Sequence, residues 1–158
     1  MSDPFTEALR HLPHGREFRF VDRLTELEPG QRGAGEYLVR GDEDFLKGHF
    51  PGQPLVPGVI LVEAVAQLAG IVAQCDPSVP PMLGLKLTAI RAAKILGTAA
   101  PGETLLLRAE ITGRMGNLVQ AKGSVEVNGL VLLQADVVLA GAAGEHLSQN
   151  AGHPNSFP

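Results

Sequence analysis

Between Val59 and Ala73 every side chain is Val, Ile, Leu, Ala or Gly except Glu63 and Gln67, which stand four apart and so share one helical face. A helix that is apolar nearly all round is a buried helix. Pro57 suits a first helical position, so the helix is predicted to start there, with Gly58 and Val59 in its first turn. Further on the period shortens to two. Leu105, Leu107, Ala109 and Ile111 alternate with more polar neighbours, and Val119, Ala121, Gly123, Val125 and Val127 alternate with Gln120, Lys122, Ser124 and Glu126. Asn128-Gly129 then predicts a tight hairpin into a strand over 130–139, and the run from Gly113 to Gly116 reads as another hairpin connection. Upstream, strands are expected over 18–27 and 35–39, after a short helix near 5–11. This order predicts an α+β domain with an antiparallel sheet wrapped on one long buried helix. Residues 1–140 are expected to form that single domain. The stretch 141–158, rich in Gly, Ala, Ser, Asn and Pro without apolar period, is expected to be a disordered tail.

Two titratable side chains stand out against this frame. His49 lies in Gly48-His49-Phe50-Pro51-Gly52-Gln53-Pro54-Leu55-Val56-Pro57-Gly58, a loop stiffened by three prolines that runs straight into the apolar helix. Glu63 lies inside that helix, where desolvation would favour its protonated form, as a general acid near neutral pH requires. The first-turn amides of Gly58 and Val59 lack intrahelical partners and suit an oxygen that gains negative charge. Gly58, without a side chain, would let a substrate approach the backbone. The bland readings are a loop histidine bonded to backbone, and a Glu63/Gln67 pair that merely marks the solvent edge of a less buried helix.

The run from Gly48 to Gly70 resembles the signature of the FabZ-type 3-hydroxyacyl-[acyl-carrier-protein] dehydratases: His-Phe-Pro-Gly, a short linker, Pro-Gly, then a helix with Glu-Ala followed by Ala-Gln. Weaker matches extend the resemblance over roughly residues 12–140, through Leu12-Pro13-His14, Val21-Asp22-Arg23, Glu26-Leu27-Glu28-Pro29-Gly30 and Pro101-Gly102-Glu103. The resemblance implies a hotdog fold, with His49 and Glu63 as catalytic residues and the Gly58 amide as the donor to the thioester carbonyl. Val59 and Gln67 are expected beside it at the oxyanion and substrate site. It also implies an active unit of at least a homodimer, the histidine of one subunit working with the glutamate of the other, and a trimer of dimers as a larger assembly. Glu63, where the dehydrating and isomerising sister group carries aspartate, points to simple dehydration. The chain departs from the pattern at Gly15-Arg16-Glu17 and at Lys94-Ile95-Leu96-Gly97-Thr98. Neither departure touches the reacting groups.

Eliminating water from a 3-hydroxyacyl thioester needs a base for the proton beside the carbonyl and an acid for the departing hydroxyl. Neutral His49 is the candidate base and protonated Glu63 the candidate acid. No metal and no cofactor is expected, the substrate itself riding on a phosphopantetheine arm. A hotdog thioesterase is the alternative, although hydrolysis does not call for His49 in a rigid loop; a noncatalytic acyl-binding relative is the third reading. Acyl chain length, pathway and the choice between carrier protein and coenzyme A stay open.

The chain's 158 residues, 44% of them hydrophobic, suffice for one sizeable core. A formal charge of −4 argues against a nucleic-acid binder. Against that bulk charge, no Asp or Glu falls between Pro77 and Gly102 while Lys86, Arg91 and Lys94 do. From charge alone this is as well a solvated strand face; the resemblance turns it towards docking of an acidic acyl carrier protein. Cys75 is the sole cysteine, which fits a reducing cytoplasm, and it reads as a structural thiol with no activating histidine nearby in sequence. No basic-then-apolar leader opens the sequence, and Glu63 and Gln67 interrupt the apolar run, so neither a signal peptide nor a membrane span is expected. His11, His14, His146 and His153 are scattered without metal-ligand spacing.

Overall fold

The computed structural model describes residues 2–143. Helix α1 (Pro4–Leu9) opens the fold, with the Asp3 carboxylate accepting from the Thr6 amide as its cap. Strands β1 (Arg23–Glu28) and β2 (Arg32–Leu38) form a hairpin, followed by the long helix α2 (Gly58–Gln74). Four strands complete the chain: β3 (Met82–Ile95), β4 (Thr104–Met115), β5 (Leu118–Val127) and β6 (Leu130–Ala143). They make one six-stranded sheet in the order β1-β2-β4-β5-β6-β3, every pair antiparallel. A single long helix against an antiparallel sheet is the hotdog arrangement, as the sequence predicts.

The sheet accepts the helix so closely because its central row is built from small residues. Gly33, Ala109, Gly123 and Ala135 are register partners across β2, β4, β5 and β6. A methyl group added at Gly33 would stand 2.8 Å from Val72 of α2, and one at Gly123 would stand 2.5 Å from Val65. Around this row Leu61, Val62, Leu68 and Ile71 are buried against Leu105, Leu107, Val125 and Leu133, each such side chain contributing roughly 1.5–3 kcal/mol through water exclusion. The far end of α2 is tied down by polar contacts. The Gly30 amide donates to the Val72 carbonyl, and Arg114 donates to the Ala73 carbonyl at 2.7 Å while facing Asp76 at 3.4 Å.

Several boundaries differ from expectation for identifiable reasons. Pro57 caps α2 rather than occupying its first turn, so the helix begins at Gly58. The expected strand over 18–27 starts only at Arg23, because its earlier backbone bonds to a side chain instead: the Phe20 amide donates to Gln67 and the Phe18 carbonyl accepts from it. The second strand starts earlier than 35, at Arg32. At Asn128-Gly129 both residues have positive φ, 50° and 80°, and the predicted hairpin turn is present. Strand β6 continues to Ala143, past the boundary drawn at 140; the rest of the expected tail, 144–158, lies outside the described residues.

Candidate active site

One face of α2 presents Glu63, Ala66, Gln67, Gly70, Ile71 and Gln74, which follow each other at helical spacings of three and four. Between this face, residues 12–14 and residues 82–87 of β3 lies a cavity of about 490 Å³. Glu63 and His14 line it together. Its wall is otherwise mainly apolar, with Leu12, Leu85, Leu87 and Leu139 among the contributors.

Gln67 governs the orientation of Glu63. Only 2% exposed, it accepts from the Phe20 amide at 2.8 Å, donates to the Phe18 carbonyl at 2.9 Å and donates to Glu63 Oε1 at 3.1 Å. Its amide hydrogens and its oxygen are thus engaged by the protein. With these groups so engaged, Gln67 holds the carboxyl in place. The second neighbour of Glu63 Oε1 is His14 Nε2 at 3.3 Å. No protein bond to Oε2 is found among the described residues. One oxygen is thus anchored by the protein and the other is not.

His49 is held differently. Its Nδ1 stands 2.9 Å from the Leu55 carbonyl, and a carbonyl only accepts, so the hydrogen lies on Nδ1 and Nε2 keeps its lone pair in the neutral ring. The Leu55 amide returns a bond to the His49 carbonyl at 2.8 Å, while Phe50 and Gln53 exchange backbone bonds inside the loop. The prolines leave few conformations to freeze, and these bonds select one. His49 is not among the residues lining the cavity of Glu63.

The amides of Gly58 and Val59 precede the first backbone bonds of α2, which run from Ile60 and Leu61 to the Pro57 carbonyl. Val59 is exposed at this helix start. The space beside Gly58 is taken within the chain: an added methyl would stand 2.5 Å from Ile95 Cδ1, so the missing side chain accommodates Ile95 of β3. Lys86, Arg91 and Lys94 are all exposed on β3, and only Lys86 reaches the cavity wall. Cys75 caps the end of α2, where burial pushes its thiol up and keeps it a poor nucleophile. His14 is the site residue that sequence reasoning passed over. A whole β-hairpin separates it from Glu63, so no helical or strand spacing could pair them; the one signal was its place in the Leu12-Pro13-His14 match.

A carboxyl on the central helix of a hotdog domain, with a histidine on the preceding Pro/Gly loop, defines a class of acyl-thioester enzyme. Residues 12–136 match the FabA-like domain, and the chain belongs to that family. Within it the chain is of the FabZ type. It is 38% identical over 122 residues to the 3-hydroxyacyl-[acyl-carrier-protein] dehydratase FabZ of Syntrophomonas wolfei, covering 77% of this chain and 84% of that protein. The FabZ of Thiobacillus denitrificans is 36% identical over 134 residues, covering 84% and 92%. Among solved structures, the dehydratase heterocomplex ApeI:P from Xenorhabdus doucetiae superposes with a TM-score of 0.73 at 16% identity, over 89% of this chain and 93% of that one. Zebra fish thioesterase superfamily member 2 superposes with 0.58 at 14% identity, over 75% and 79%. At such identities these two structures speak to the fold alone.

Proposed function

We infer that this chain removes water from 3-hydroxyacyl thioesters carried on acyl carrier protein and releases the trans-2-enoyl thioester, a hydro-lyase step of fatty acid biosynthesis. The observation that carries the mechanism is the division of the Glu63 carboxyl, Oε1 held and Oε2 without a partner among the described residues, at an apolar cavity suited to an acyl chain. His49 Nε2 takes the proton from the carbon beside the thioester carbonyl. The first-turn amides of α2 meet the oxygen on which charge gathers, and Glu63 Oε2–H protonates the hydroxyl as its carbon–oxygen bond breaks. Each positioned proton transfer is typically worth about 10²–10⁴ in rate, and an amide donor of this kind about 10²–10³. Acid–base elimination of this sort calls for no cofactor beyond the arm that carries the substrate.

The working unit is a homodimer in which His49 of the partner subunit faces Glu63. Two observations support this. His49 is not among the residues lining the cavity of Glu63, and β3 is a 14-residue strand at the edge of the sheet with Leu83, Ile90 and Ile95 exposed. A long apolar edge invites another strand, and two-fold pairing of β3 satisfies it. A trimer of dimers is the larger assembly, and the cytoplasm the compartment, in keeping with a lone cysteine. Lys86, Arg91 and Lys94 give the acidic carrier protein a surface to meet.

The test supplies a 3-hydroxyacyl thioester and follows enoyl absorbance and free thiol separately. Enoyl product is expected, lost in both His49→Ala and Glu63→Gln, and partly restored when the two inactive variants are mixed under conditions that exchange subunits. Free thiol without enoyl would mean hydrolysis and overturn the reading.

A further inference from the structure

We propose that His14 is a positioning residue for the acid: its Nε2–H faces Glu63 Oε1 and closes into a hydrogen bond as Oε2 loses its proton. The inference rests on Glu63 acting as the acid, and adds a third side chain to the site. His14 Nε2 stands 3.3 Å from Oε1, long for a charge-assisted bond and suited to one that shortens when charge arrives. Nδ1 of the same ring is buried and has no partner among the described residues. A hydrogen there would be a buried unpaired donor, so the tautomer with hydrogen on Nε2, facing the carboxyl, is favoured.

The surroundings hold this geometry. The His14 carbonyl lies 3.5 Å from the Arg19 guanidinium, and the His14 ring tilts against Phe18 with centroids 6.1 Å apart. The Phe18 carbonyl accepts from the same Gln67 amide group that donates to Glu63, so the segment bearing His14 and the acid share one anchor. The other titratable groups around the pair are His11 from the same segment and Lys86 from β3, both on the cavity wall.

In the reaction Glu63 Oε2–H transfers its proton to the hydroxyl, the carbon–oxygen bond breaks, and water departs. The carboxylate left behind carries full charge. No proton crosses between His14 and Oε1; the donor stays a donor, and its bond strengthens only after transfer has begun. Stabilisation confined to the later part of the step raises kcat rather than binding.

The experiment compares His14→Leu, His14→Gln and wild type in the enoyl assay across pH. Leucine should lower kcat about 10-fold or more with KM little changed, since the lost interaction belongs to the transition state. It should also move the alkaline limb of the kcat profile to higher pH, because a carboxylate without its donor holds its proton longer. Glutamine, whose amide reaches a similar position, should recover most of both. If leucine does not fold, His14→Asn, too short to reach Oε1, replaces it. Equal losses in all variants with an unmoved pH profile, or a leucine variant indistinguishable from wild type, would overturn the proposal. Absence of enoyl product in wild type would instead remove the dehydratase reading on which it rests.

Discussion

Glu43 and Glu63 are both carboxylates drawn in from solvent, and the protein treats them in opposite ways. Glu43, with its side chain 9% exposed, accepts from the Tyr37 hydroxyl and the Arg40 amide on one oxygen, at 2.8 Å each, and from the Gly41 amide on the other at 2.7 Å. Glu63, 19% exposed, has both its neighbours on one oxygen. Burial alone pushes the Glu43 carboxyl up, but the bonds from the Arg40 amide, the Tyr37 hydroxyl and backbone amides outweigh it and hold it below the usual carboxylate range. Glu43 is thus held as an anion near neutral pH, and it braces the turn after β2. A carboxylate saturated by donors has no reason to carry a proton, and one with a free oxygen can pass a proton on. The two carboxyls differ in the count and placement of their donors, more than in depth.

The sharpest way to break this comparison is the same substitution at both positions. Glu63→Gln keeps an acceptor for Gln67 but has no acid proton to deliver, so kcat should fall about 10²–10⁴-fold with the urea midpoint nearly unmoved. Glu43→Gln should do the reverse. Its amide group would confront the Gly41 N–H, donor against donor, at a cost of about 1–3 kcal/mol in unfolding free energy, while folded enzyme keeps far more activity than Glu63→Gln retains. Urea titrations alongside enoyl assays on the two variants check both halves. A Glu63→Gln protein that loses stability but not turnover would reverse the assignment.

Acid gives a second, smaller contrast. Because the folded Glu43 carboxyl is held low, its contribution is complete above the ordinary carboxylate range and is lost as pH falls through that range towards the lowered value. The stability gap between wild type and Glu43→Gln should therefore be widest near neutrality and narrow as pH is brought down through about 4. Urea midpoints at several pH values measure it. A gap that widens in acid would show that Glu43 is not the anion its donors imply.

Much of this architecture is legible in the residue pattern, and the exceptions have causes. Helix α2 reads from its apolar run, and β4 and β5 read from alternation, because each has one environment per face. Strand β3 does not read that way. Its pairing with β6 is interrupted between Leu83 and Lys86, between Leu87 and Ala89 and between Ile90 and Ala92, and each irregularity resets the period of two. It also carries apolar residues, Leu83, Ile90 and Ile95, that stay about half exposed at the edge of the sheet. At the site, Glu63 declares itself as the lone acid of an apolar helix, and His49 through its rigid loop. Gln67 shows in the pattern as a polar break, yet its work, gripping Phe18 and Phe20 from far along the chain, is tertiary. His14 is tertiary for the same reason.

The finest test takes Glu43 apart one donor at a time. Tyr37 is buried at 2% exposure, with Arg40 lying 5.3 Å from its ring centroid. Burial, with the Glu43 hydrogen bond behind it, pushes its hydroxyl well above the ordinary phenol range, so it is a fixed donor. Tyr37→Phe keeps the ring, its packing against Phe20 at 5.6 Å and the stacked guanidinium, and deletes only the bond to Oε1. The Arg40 and Gly41 amides still satisfy the carboxylate, so the loss should be about 1.5 kcal/mol, the lower end of what a bond to a charged group contributes. In Glu43→Gln the hydroxyl faces a neutral amide, and the same Tyr37→Phe change should then cost less. A double-mutant cycle read by urea unfolding measures that coupling. A coupling near zero would mean that backbone amides alone hold Glu43, and that its contrast with Glu63 owes nothing to Tyr37.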